Sequence, residues 1–304
     1  MSIQRTREQL YHTTDAGLVV PIGTVSHLSM YSRQTLLQMK EKAVAVEKLY
    51  SDNNLLIPSA CELAHLIENA KQLSDAWLLN SDDATMPLMF RVMCLDRIAD
   101  AILPLSTVPS RVKYLTILTS GSLNLQQRLG SYAKNILWEL ELWSTLLDRA
   151  FNAVLQEPPD IVVRFEDSEV GIACKKFYSE SNVEKVLSEA VAQIEGAFDF
   201  GIVAMNLDDL LPPDAILKGG TQLAINRHID MLNQDFLTRH KRHFKKYLDA
   251  GRVLSVVVFT NVITDSYKEK PRYKNSLQAT VWTVPGLPPE KTMQLQRFYT
   301  QLME

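Results

Sequence analysis

From residue 131 onward the chain alternates between two hydrophobic periods, and this alternation limits the folds open to it. SYAKNILWELELWSTLLDRAF repeats apolar residues every three or four positions, the spacing of a helix with a buried face. EPPD and two short β-branched runs follow, then a second amphipathic helix over about 182–198. FGIVAMN, VLSVVVFTNVI and SLQATVWTV read as further strands, with a long helix over about 229–248 between the first two. PEKTMQLQRFYTQL closes the series as a helix. Helix, hairpin, helix and more strands predict an α/β sandwich on a mixed sheet.

The first half has only the helical period. Residues 33–50, 60–79, 87–103 and 111–118 each show it, separated by SDNN, NSDDATMP and the Pro104/Pro109 region. Asp83 or Thr85 ahead of Pro87 makes a plausible helix start, because a first turn tolerates proline. The expectation is an all-α N-terminal domain over 1–128, followed by the α/β domain over 129–304. No chemical motif and no solenoid repeat marks the first half, so its helices are expected to recognise a partner protein, a DNA feature or a second protomer.

Bulk composition excludes more than it identifies. With 304 residues, 46% hydrophobic content and a net charge of -3, a basic nucleic-acid surface must be local. Cys61, Cys94 and Cys174 form no CxxC pair, which predicts a reducing, cytoplasmic setting. The first residues have no apolar core of a signal peptide. No run approaches the ~18 apolar residues of a membrane span, so no membrane partner is expected.

The chemistry concentrates in PPDIVVRFEDSEVGIACKKF. Asp160 opens one strand of the hairpin and Lys175 closes the other, with Ala173 two residues earlier and on the same strand face as Lys175. Phosphodiester hydrolysis needs a divalent metal, a positioned water and a cation for the developing charge. Carboxylates and a lysine on one side of a hairpin can meet those needs.

The segment from about 131 to 193 resembles the PD-(D/E)xK nuclease superfamily, which has the restriction-endonuclease-like fold. Pro159–Asp160 matches the PD element, and Ala173–Cys174–Lys175 occupies the (D/E)xK element with alanine in place of the acid. WELEL resembles the first core helix, which often contributes a glutamate. The resemblance implies an α/β/α sandwich that cleaves DNA, less often RNA, with Mg2+ or Mn2+, and it suits bacterial restriction or phage defence. Asp160 would hold metal and Lys175 would assist the water.

Helical geometry separates the two glutamates of WELEL. Ile136, Leu140, Trp143, Leu147 and Ala150 set the inward face; Glu139 borders it, and Glu141 lies on the far side with Ser144 and Asp148, facing solvent. A carboxylate against an apolar face needs a partner or a metal, so Glu139 is either a site residue or a half-buried acid paired with a lysine.

Ala173 leaves three readings open. The acid has moved to Glu189, fourteen residues after Lys175, as in some enzymes of the superfamily. Alternatively the site is degenerate and the domain binds without cutting, or the alanine replaces an acid of an active parent. Gln193, one turn beyond Glu189, matches a glutamine that several such nucleases bring near the metal or scissile phosphate. Cys174 is expected in the core and Lys176 at the surface.

A second cluster bears on partners. Arg239, Lys241, Arg242, Lys245 and Lys246 are expected on the solvent side of one helix, where they would either contact phosphates or simply be solvated. KEKPRYK at 268–274 would extend that surface. His228, His240 and His243 have no carboxylate at metal-ligand spacing.

Overall fold

The computed structural model describes residues 6–13, 19–30, 37–79 and 85–303. The α/β expectation holds at the level of a mixed sheet flanked by helices. Among the described residues, nine strands form one sheet: β1 (Thr6–Thr13), β2 (Val19–Met30), β3 (Asn152–Leu155), β4 (Ile161–Phe165), β5 (Ser168–Lys176), β6 (Phe200–Asn206), β7 (Ile216–Gly219), β8 (Ser255–Ser266) and β9 (Tyr273–Trp282). Their order is β1-β2-β9-β8-β6-β5-β4-β3, with β7 on β8 beyond the end of β6. β5, β6 and β8 run parallel, and the flanking pairs are antiparallel. Every residue of β6 is buried, as a central parallel strand covered on both faces requires.

Among the described residues, four α-helices, α1 (Met39–Asp52), α2 (Glu62–Leu78), α3 (Met86–Ile102) and α4 (Arg111–Ser120), precede α5 (Tyr132–Asp148). α5 packs against α3 and α4 on one side and against β3 and β5 on the other. One apolar cluster consequently runs from Met39 to Leu302 through both halves of the chain. α6 (Val183–Ile194) lies on β5 and β6, and α7 (Gln222–Arg239) lies on β8 and β9. α8 (Lys241–Leu248) and α9 (Pro289–Met303) are the last two α-helices of the described residues.

Three sequence expectations change. The helical reading of 1–128 omits β1 and β2, and β2 pairs with β9 in the C-terminal sheet. The expected helix over 229–248 starts earlier, where the Thr221 hydroxyl accepts from Ala224 N–H at 3.3 Å, and it breaks into α7 and α8. The break is at His240, which leaves helical geometry (φ -102°, ψ 9°) and bonds Glu180 Oε2 through Nε2 at 2.8 Å.

Gly171 shows how closely the layers approach. A Cβ there would collide with the Phe198 ring, so this face of β5 admits only glycine without movement.

Candidate active site

β4 and β5 form a tight hairpin in which Ile161 opposes Ile172. One further step of that register opposes Asp160 to Ala173, and opposed residues share a sheet face. Asp160, Ala173 and Lys175 thus sit together, as the sequence predicts. Asp160 is only 7% exposed. Its Oδ2 accepts the Cys174 N–H at 2.5 Å and stands 3.7 Å from Lys175 Nζ. Burial pushes this carboxyl up, and Lys175 and the Cys174 N–H work against that rise. Lys175 Nζ also donates to Gln193 Oε1 at 2.6 Å, so α6 supplies Gln193 to the same group.

Glu139 approaches from α5. It is 8% exposed and, among the described residues, takes part in no hydrogen bond or ion pair. Burial first, then the negative charges of Asp160 and Glu157, push its carboxyl up to about 8. At neutral pH the site therefore contains one anchored acid and one that largely retains its proton.

Three residues near these acids escape a reading of the sequence. Glu157 pairs with Lys113 of α4 at 2.5 Å, so the helical half reaches the site. Glu157 lies three residues before Asp160, a proximity that could have flagged it. Lys113 has no local signal. Tyr132, 59% exposed at the start of α5, lies within electrostatic reach of Glu157 and Glu139.

Other expected residues fall elsewhere. Glu189 is exposed, and its Oε1 lies 3.9 Å from Lys185 Nζ. Glu141 does not face solvent: Arg97 of α3 bonds it at 2.8 Å and bonds Asp208 at 2.5 Å. The helical layer covers what a one-faced helix would leave open. Lys176 is also not at the surface; its side chain is 3% exposed and pairs with Asp209 at 2.7 Å. Lys134 joins the same aspartate at 3.4 Å. Burial would raise the Asp208 carboxyl, but Arg97, Lys176 and the Asn261 N–H hold it below the usual range. Cys174 is buried in the apolar cluster, as expected.

The basic cluster is partly spent internally. Arg239 pairs with Glu180 at 2.7 Å and Lys245 with Asp249 at 3.2 Å. Lys241, Arg242 and Lys246 are exposed and have no ion pair among the described residues. In the 268–274 loop, Arg272 and Lys274 pair with Asp265 and Glu269, while Lys268 and Lys270 remain exposed.

Among the described residues, no set of three His, Cys, Asp or Glu side chains is grouped to hold a metal ion. None of the described helices is long and apolar enough to cross a membrane. Neither a family model, nor a curated protein, nor a solved structure matches the chain.

Proposed function

We propose that the chain is a metal-dependent DNA endonuclease of restriction-endonuclease-like design, in a form that lacks one acid of its metal site. The observation that carries this reading is the opposition of Asp160 and Ala173, beside Lys175 and the unpartnered, buried Glu139. Asp160 and Glu139 are hard oxygen donors, and Mg2+ or Mn2+ is commonly held by one or two carboxylates together with waters and substrate phosphate. A buried acid without a hydrogen bond, next to a second acid, fits such an ion. The metal would supply polarisation of the phosphate and a more acidic water. Lys175 would neutralise charge on the phosphate, with Gln193 fixing its ammonium.

The rest of the proposal follows the resemblance. Residues 129–304 would form the α/β/α nuclease unit, and the helices of 1–128 would serve recognition or self-association. Lys241, Arg242 and Lys246 would contact DNA. A cytoplasmic role in bacterial restriction or phage defence is the setting this design suits.

A second reading, a non-catalytic nucleic-acid- or protein-binding module on a degenerate nuclease fold, is favoured by Ala173 itself. Its methyl is fully buried in the apolar cluster where a metal-binding acid would be required.

Nicking of supercoiled plasmid in Mg2+ or Mn2+ separates the two. The expected result is cleavage by Ala173→Glu and none by the parent chain, with loss on adding Asp160→Ala. Cleavage by the parent chain that disappears in Glu189→Ala would instead support a relocated acid. No cleavage of DNA or RNA by any version would sink the enzyme reading and leave the binding module.

A further inference from the structure

Tyr132 opens α5 and is 59% exposed, and its ring and hydroxyl make no ring contact or hydrogen bond among the described residues. A single exposed aromatic is ordinary on a protein surface, so its position has to carry the argument. Glu139 follows seven residues later on the same helix. That spacing is close to two helical turns, so the two side chains leave one face of α5 about 10 Å apart along its axis. Glu157, Glu139, Lys113 and Asp160 all lie within electrostatic reach of Tyr132. An open aromatic ring thus stands beside the acids proposed to hold the metal.

The charges around that ring differ in how firmly they are held. Asp160 accepts the Cys174 N–H and stands 3.7 Å from Lys175 Nζ. Burial leaves Glu139 largely protonated at neutral pH. Glu157 is neutralised by Lys113 at 2.5 Å, but this pair is open to water, with side chains 41% and 47% exposed. Exposed ion pairs contribute little, so Lys113 can exchange Glu157 for a phosphate oxygen at small cost. A nucleotide here would find a ring for its base and a separable cation for its phosphate. Within a continuous duplex each base face is covered by its neighbours, and only an unpaired or extruded base can stack on a side chain.

We propose that Tyr132 stacks the base of an unpaired nucleotide next to the scissile phosphate, while Lys113 leaves Glu157 to hold that nucleotide's phosphate. The preferred substrate is then DNA with unpaired nucleotides at the cleavage point. Negatively supercoiled plasmid supplies such nucleotides by local opening. The inference rests on the nuclease reading for the scissile bond, but the binding it requires needs no cleavage. Tyr132 and Lys113 are positioning residues in it.

Fluorescence anisotropy of the full chain with a labelled single strand, and with the blunt duplex of the same sequence, tests the proposal. Tyr132→Ala should weaken binding of the single strand about tenfold and change duplex binding by less than about twofold. Tyr132→Phe keeps the ring and should bind as the unmodified chain does. Tyr132→Leu keeps an apolar side chain without a π-face and repeats the comparison if the alanine variant shows no melting transition. Lys113→Met should lower the log–log salt slope for the single strand by about 0.7. The proposal is overturned if the unmodified chain binds no single strand, if Tyr132→Ala leaves that binding unchanged or weakens both forms equally, or if Tyr132→Phe fails to retain it. Cleavage by Ala173→Glu alongside any of these results leaves the nuclease reading standing and removes this one. Absence of cleavage by every version removes the nuclease reading, and single-strand binding that depends on the Tyr132 ring then still supports the nucleotide site.

Discussion

Cys174 donates its backbone N–H to Asp160 Oδ2 across 2.5 Å, which pins the aspartate against β5 one residue beyond Ala173. Any side chain at 173 must lie against that carboxylate, because cross-strand neighbours approach to about 5 Å at Cβ. Ala173→Glu should therefore place a third acid beside Asp160 and Glu139. Without divalent metal the variant is expected to lose about 2–4 kcal/mol of stability through buried like charge. Millimolar magnesium should restore much of that loss. Thermal denaturation with and without the metal checks this, and a midpoint indifferent to magnesium would count against a shared metal site.

Glu139 sets a pH dependence. Its carboxyl rises from its ordinary 4.5 to about 8 in the folded chain, so the folded state retains a proton that the unfolded state has lost. Stability must fall as pH rises from about 4.5 to 8, by up to about 1.4 kcal/mol per pH unit, and level off above that range. Glu139→Gln should remove this slope. Urea denaturation of both chains from pH 5 to 9 is the measurement, and parallel curves would show that Glu139 does not titrate in this range.

Arg97 stands between Glu141 and Asp208 with its own side chain 11% exposed. Arg97→Met leaves two enclosed carboxylates with less compensation and should cost about 3–5 kcal/mol. Because α3 supplies the arginine and α5 and the segment after β6 supply the acids, the change should loosen the helical layer from the sheet. Hydrogen exchange across α3 and α5 would show it; unchanged protection there would contradict the assignment.

The cations on α8 are separable from their neighbours by partner. Replacing Lys241, Arg242 and Lys246 by alanine should lower the salt dependence of the proposed DNA binding by about 0.9 in log–log slope for each phosphate that is no longer neutralised. Arg239→Ala should change it little, because Glu180 already holds Arg239. Fluorescence anisotropy over a range of salt concentrations distinguishes the two, and equal effects would argue that the ion pair opens on binding.

Gly171→Ala drives a methyl into the Phe198 ring and should destabilise the chain by about 1–3 kcal/mol. Combining it with Phe198→Leu should recover part of that stability, a coupling that chemical denaturation of the four chains in the cycle would measure.

The local features of the site are legible in the sequence because they depend on strand alternation and helix period. Asp160, Ala173 and Lys175 share a face because the hairpin is regular, and Glu139 is buried because it borders an apolar arc. Glu141 and Lys176 depart from expectation for one reason: periodicity gives each element a single covered face and leaves the other to solvent. α5 and the end of β5 are covered on both sides by parts of the chain distant in sequence. Lys113 is invisible for the same reason, since its link to Glu157 spans 44 residues. The basic cluster looks larger in sequence than it is, because Glu180, Asp249, Asp265 and Glu269 each take one of its charges.

The pairing of β2 with β9 has a consequence for how the chain reaches this state. Residues 19–30 have their inner neighbour at residues 273–282, so the sheet cannot be completed until almost the whole intervening chain is available. Such separated contacts slow folding. Until they form, β2 and β9 each keep an open row of backbone donors and acceptors that another chain could join. Deleting residues 6–30 should therefore show first as aggregation through the uncovered edge of β9, with the Asp160 hairpin still able to form.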